Sequence, residues 1–87
     1  MPPLNETLLE RGQTYGSFTD NSGIAQGIKS ILIFAPSWFI ASSRQKEAAH
    51  QIASKLSRLF SGDPGHADSW LDIAGYATLA AGQEPGQ

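Results

Sequence analysis

Eighty-seven residues with a formal charge of −2 and no cysteine describe one small, mildly acidic domain that has to build its core without disulfides. The absence of cysteine also excludes thiol catalysis and thiolate-bound zinc, and six dispersed Lys and Arg residues do not make the basic patch that coating nucleic acid requires, so a nucleic-acid partner is not expected. The longest apolar stretch, Ile31 to Ala35, is far too short to span a bilayer, and the first residues lack the basic start and apolar run of a signal peptide; a soluble, cytoplasmic protein with no membrane partner is expected.

The chain reads as a single domain over residues 1–87 with loose ends, 1–3 and 82–87, both rich in Pro, Gly and Gln. A core this small gains by burying surface against further copies, so a homo-oligomer is expected. Asn5 is a good N-cap and Glu6 places negative charge in a first turn, which predicts a short helix over Leu4–Arg11, anchored by Leu8 and Leu9 and ended by Gly12. Residues 13–18 then read as a loop, with Tyr15 and Phe18 large enough to pin it to the core.

Thr19 to Ser22 is a cluster of capping residues, and Ile24, Ile28, Ile31, Leu32 and Ala35 recur at helical spacing until Pro36, which predicts a second helix over Ser22–Phe34. Pro36 to Phe39 is a connector whose rings either fold back on the core or, if exposed, form an interface patch.

Ser42 followed three residues later by Gln45 has the form of a capping box, and Gly62 suits a helix end, so a third helix is predicted over Ser42–Phe60. At 100° per residue, Ala49, Ile52, Ala53, Leu56, Leu59 and Phe60 share one face of it, and Glu47, His50, Gln51, Ser54 and Arg58 share the other. Asp63-Pro64 suits a helix start, so a fourth helix is predicted over Pro64–Ala80, with Trp70, Ile73, Ala74, Ala77 and Ala81 as its core stripe and Asp68, Asp72, Gly75, Tyr76 and Leu79 opposite. The expected architecture is all-α: about four helices, built on the pair Ser42–Phe60 and Pro64–Ala80, in an oligomeric bundle.

Asp68 and Asp72 stand one helical turn apart, a spacing that costs a few tenths of a kcal/mol in repulsion unless a cation lies between them. Two carboxylates on neighbouring turns suit Mg²⁺, which takes oxygen ligands, and Glu47 could complete the set if the third helix packs alongside. The same pattern arises when Asp68 merely favours the helix N-terminus and Asp72 is solvated or paired with a base. Lys55 and Arg58 could meet phosphate or simply complement the C-terminal end of the third helix.

The segments Glu10-Arg11-Gly12-x-x-Tyr15-Gly16-x-Phe18, Glu47-Ala48, Lys55-Leu56-x-Arg58, Gly62-Asp63-Pro64 and Asp68-Ser69-Trp70-x-Asp72-Ile73-x-Gly75-Tyr76-Ala77 resemble a family of small, functionally uncharacterised bacteriophage and prophage proteins over Glu10 to Leu79. That family in turn is similar, more distantly, to the all-α nucleoside triphosphate pyrophosphohydrolases of the MazG-like type, oligomeric bundles that hold Mg²⁺ with acids from two adjacent helices. The resemblance implies a nucleotide-handling protein acting in the cytoplasm of a host bacterium. In it Glu47, Asp68 and Asp72 would ligate Mg²⁺, and Lys55, Arg58, Tyr15 and Tyr76 would contact substrate. His50 stands where the pattern has a second acid one turn after Glu47, and imidazole is a poor Mg²⁺ ligand. The expectation is therefore divided between an Mg²⁺-dependent pyrophosphohydrolase or a degenerate nucleotide-binding relative and a non-catalytic helical module that inhibits a host defence protein or sequesters a nucleotide. Because the acids lie opposite the apolar stripes, a metal site would need a second wall, from a neighbouring subunit or the second helix.

Overall fold

The computed structural model describes residues 4–82, which form four α-helices and one 3-10 turn: α1 Leu4–Tyr15, α2 Phe18–Ile33, the turn Trp38–Ile40, α3 Ser43–Ser61 and α4 Ala67–Ala80. The domain is all-α, as its periodicity implies. The ends expected to be loose lie, apart from Gly82, outside the described residues. No helix among the described residues is long and apolar enough to cross a membrane.

The longest helix, α3, is the spine, packing against α1, α2 and α4. Its start is the capping box: the Ser42 hydroxyl accepts from the Gln45 amide at 3.1 Å, and the Gln45 side chain accepts from the Ser42 amide at 2.9 Å. Gly62 closes it, its amide donating to the Arg58 carbonyl at 3.0 Å. Its buried residues, Ala48, Ala53, Ser57 and Leu59, do not form the single stripe expected. On the helical wheel Ala48 and Leu59 lie together while Ala53 and Ser57 lie roughly 150° away, because a helix gripped on two sides has two seams. The expected stripe points between them, so Ile52 and Leu56 are half-buried and Phe60 is exposed.

The first loop is largely helix. α1 runs through Gly12 to Tyr15, and the residue that ends it is Gly16, at φ +77°, whose amide donates to the Gly12 carbonyl at 2.9 Å. Ser17 then caps α2, accepting from the Asp20 amide at 3.0 Å, so the cap lies ahead of the Thr19 to Ser22 cluster that composition favoured. Tyr15 is half-buried as expected, but Phe18 is 81% exposed and pins nothing. Along α2 the expected core positions Ile24 and Ile31 face outward, leaving Ala25 buried. Beyond it Trp38 is half-buried, edge-on to His50 at 5.3 Å between ring centroids, while Phe39 and Ile40 are exposed.

Two glycines fix the corner where α1 turns into α2 against the end of α3. A Cβ on Gly16 would lie 2.2 Å from the Ser61 carbonyl oxygen, and one on Gly62 would lie 2.2 Å from that of Thr14. Bare backbone is needed on both sides. The contact is sealed by the Asp63 amide donating to the Thr14 carbonyl at 2.8 Å. Next to it Asp63 forms an Asx turn, accepting from the Gly65 amide at 2.9 Å, so α4 begins at Ala67 with His66 as N-cap rather than at Pro64.

α4 is rotated from its expected orientation. Its buried or half-buried positions are Ser69, Ile73, Tyr76 and Ala80, whereas Trp70, Ala74, Ala77 and Ala81 are exposed. The two rows are about 100° apart on the wheel. Apolar and small side chains cover more than half of this helix, so its outline alone does not select the face that meets α3.

Candidate functional site

Arg11 and Tyr15 are one turn apart on α1 and therefore share a face. Arg58, in the last turn of α3, reaches the same ring from the other side: the Arg11 and Arg58 guanidinium carbons lie 5.1 and 5.4 Å from the Tyr15 ring centroid. His66 meets the ring edge-on, with centroids 5.5 Å apart. The turn at Gly16 brings the N-terminus of α2 to this spot, and its free amides add a partial positive charge.

Arg11, Tyr15, Arg58 and the start of α2, but not His66, wall a hollow of about 210 Å³ that Leu8, Phe18 and Asn21 also line. A second hollow of about 180 Å³ adjoins it, sharing Phe18, Asn21 and Arg58 and adding Ser22, Lys29 and Ser54. Three of the six basic residues thus line one continuous groove, and no carboxylate lines either hollow. In a chain of net charge −2 this is a concentration of positive charge beside aromatic rings. Among the described residues neither guanidinium lies within ion-pair distance of a carboxylate.

Of the four residues expected at a substrate site, Tyr15 and Arg58 are brought together here and the other two are not. Lys55 is paired with Asp72, Nζ to Oδ2 3.0 Å. Tyr76 lines a shallow depression on α4 with Leu71, Asp72, Gly75 and Leu79. Sequence reasoning did not single out Arg11, Asn21 and Lys29. The signal available for Arg11 was its i, i+4 relation to Tyr15; Asn21 and Lys29 reach the groove by packing that no local pattern encodes.

The acids are spread along the bundle. The Lys55–Asp72 and Phe60–Trp70 contacts show α3 and α4 running antiparallel, so Asp68 is level with residue 59 of α3, and Glu47 lies twelve residues further back, about 18 Å along the axis. Glu47 accepts from the Gln51 side chain at 3.3 Å, and Asp68 is exposed in the first turn of α4. No group of three or more His, Cys, Asp or Glu among the described residues is placed to hold a metal ion. Within one chain Glu47, Asp68 and Asp72 therefore do not fit a shared Mg²⁺, whose ligand oxygens stand about 2.1 Å from the ion.

The quoted motif segments have structural work at the corner. Gly16 and Gly62 allow the close approach, the Trp70 indole donates to the Pro64 carbonyl at 2.8 Å, and buried Ser69 is hydrogen-bonded to His66 Nδ1 at 2.9 Å. They specify how the α1–α2 turn docks on the α3–α4 turn, and so where Tyr15 and Arg58 meet. No curated protein and no solved structure matches the chain. A family profile does match, over residues 5–84 and hence through all four helices, and the chain belongs to that family, described as a domain of unknown function, DUF6378.

Proposed function

We propose that the domain binds a phosphorylated small molecule, a nucleotide fitting best, in the groove between α1, α2 and α3. The observation that carries this is the pair of guanidiniums from two different helices flanking Tyr15 at the wall of a hollow free of carboxylates. Arginine's planar fork suits phosphate oxygens, and the rings of Tyr15 and Phe18 offer apolar surface to a base. Lys29 at the adjoining hollow extends the positive lining along the length of a polyphosphate. The resemblance to nucleotide pyrophosphohydrolases supports this ligand class, with nucleotide handling in a host bacterial cytoplasm as the proposed setting. The proposed role is binding, since the acids of one chain do not converge on a shared metal position among the described residues.

Calorimetric titration with ATP, AMP and inorganic pyrophosphate tests it. Binding is expected for ATP and pyrophosphate, and Arg58→Ala or Arg11→Ala should each weaken it about 10- to 100-fold, the equivalent of one charge-assisted hydrogen bond. Absence of binding, or wild-type affinity in both variants, contradicts it.

A second reading, a non-catalytic module that docks on a host protein, is favoured by the exposed Phe34, Phe39 and Ile40 around the α2–α3 connector. It expects a specific host protein to be recovered from a bacterial lysate and lost with Phe39→Ser.

A further inference from the structure

We propose that Asn21 reads the base of the bound nucleotide, selecting adenine or cytosine, which carry an amine on the pairing edge, over guanine or uracil, which carry a carbonyl at the same place. This selection rests on the groove between α1, α2 and α3 being the nucleotide site proposed above, and adds which bases it takes.

The turn between α1 and α2 fixes the side chain. Tyr15 is the last residue of α1, where backbone carbonyls have no partner within the helix. Asn21, four residues after the cap Ser17, supplies one: its Nδ2 donates to the Tyr15 carbonyl at 3.5 Å, while its own amide donates to the Ser17 carbonyl at 3.0 Å. With the nitrogen turned to that carbonyl, Oδ1 is left as an acceptor, and none of the described residues donates to it. Asn21 is half-buried and lines both hollows, so this acceptor belongs to the groove.

Acceptors are scarce there. The charged side chains lining the two hollows, Arg11, Arg58 and Lys29, can only donate, and no carboxylate lines either. In the first hollow the Ser17 hydroxyl oxygen is already engaged by the Asp20 amide, and the Tyr15 hydroxyl can turn to donate or accept. Asn21 Oδ1 is thus the fixed acceptor of that hollow.

Its neighbours suit a base. Phe18 lies three residues earlier on the same face of α2, is exposed, and with Leu8 and Tyr15 gives the first hollow its apolar wall. Phosphate occupies the cations, so a base against the Phe18 ring turns its edge to Asn21. An exocyclic amine there donates to Oδ1. A carbonyl in its place sets two acceptors face to face and forfeits the hydrogen bond. Ribose hydroxyls, which turn to donate or accept, are not sorted by such a group.

Calorimetric titration of the whole chain with ATP, GTP, CTP, UTP and inorganic pyrophosphate tests it. CTP and UTP match in size and sugar and differ only on the base edge, so they isolate the contact. ATP and CTP are expected to bind about 10-fold more tightly than GTP and UTP, the worth of one hydrogen bond at a half-buried group. Asn21→Leu, similar in size but without the acceptor, should make the affinities for CTP and UTP equal. Asn21→Asp, which keeps an acceptor but adds negative charge, should bind every nucleotide more weakly and retain the preference for CTP; a general weakening of the groove would not separate the two variants in this way. Equal affinity for CTP and UTP in the wild-type chain, with pyrophosphate still bound, overturns base selection and leaves the groove standing. A preference for CTP that survives Asn21→Leu overturns it as well, and absence of binding by every probe overturns both.

Discussion

Gly16 combines two constraints in one residue. Its φ of +77° is strained for any side chain, and a Cβ there would run into the Ser61 carbonyl. Gly16→Ala is expected to destabilise the fold by about 3 kcal/mol or more in urea unfolding, since α1 and α3 must separate to admit the methyl group. Gly12, mid-helix with nothing within 4 Å of its Cβ direction, should behave oppositely: Gly12→Ala gains helix propensity and should stabilise by up to about 1 kcal/mol. Equal effects from the two changes would mean that the corner is not fixed as described. The two glycines, four residues apart, show where sequence reading was limited. Either could end α1, and the choice is made by the contact with Gly62, forty-six positions after Gly16, which no local pattern reveals. Tyr15 was legible as an anchoring ring, whereas its two guanidinium neighbours come from separate helices and became a pair by folding.

Elements were legible to the extent that their signals were local. The start of α3 was readable because Ser42 and Gln45 complete a capping box within four residues, and its end was readable at Gly62. Ser42→Ala should therefore cost about 1 kcal/mol, measured by thermal or urea unfolding; a neutral result would argue that the box is not formed in solution. The faces of the helices were less legible. α3 has two seams because it has neighbours on two sides, and α4 turns its Ser69, Ile73, Tyr76 and Ala80 row inward although the Trp70, Ala74, Ala77 and Ala81 row is equally apolar. Between two such rows the contacts of the α3–α4 turn go with the observed choice: the Trp70 indole donates to the Pro64 carbonyl, and Ser69 is hydrogen-bonded to His66. The Lys55–Asp72 pair adds little, since with 52% of the Asp72 side chain exposed an ion pair is worth at most about 1 kcal/mol.

At the scale of the whole molecule, the basic groove and the acids of α4 occupy different surfaces. Among the described residues the buried apolar ones are Ala25, Ala48, Ala53 and Leu59, a core so small that exposed apolar faces are unavoidable in a lone chain. The positive groove lies on the α1–α2–α3 side, and the paired acids Asp68 and Asp72 lie on α4, where Asp72 is engaged by Lys55. The proposed phosphate site therefore lies at Tyr15, away from the carboxylates that spacing alone brings to notice. The most direct test is titration of ATP, without added metal, into ¹⁵N-labelled protein followed by amide shifts. Saturable shifts centred on Gly16, Ser17, Phe18 and Asn21 are expected, with the amides around Asp68 and Asp72 unmoved. Shifts confined to α4, or none at millimolar ATP, would contradict it.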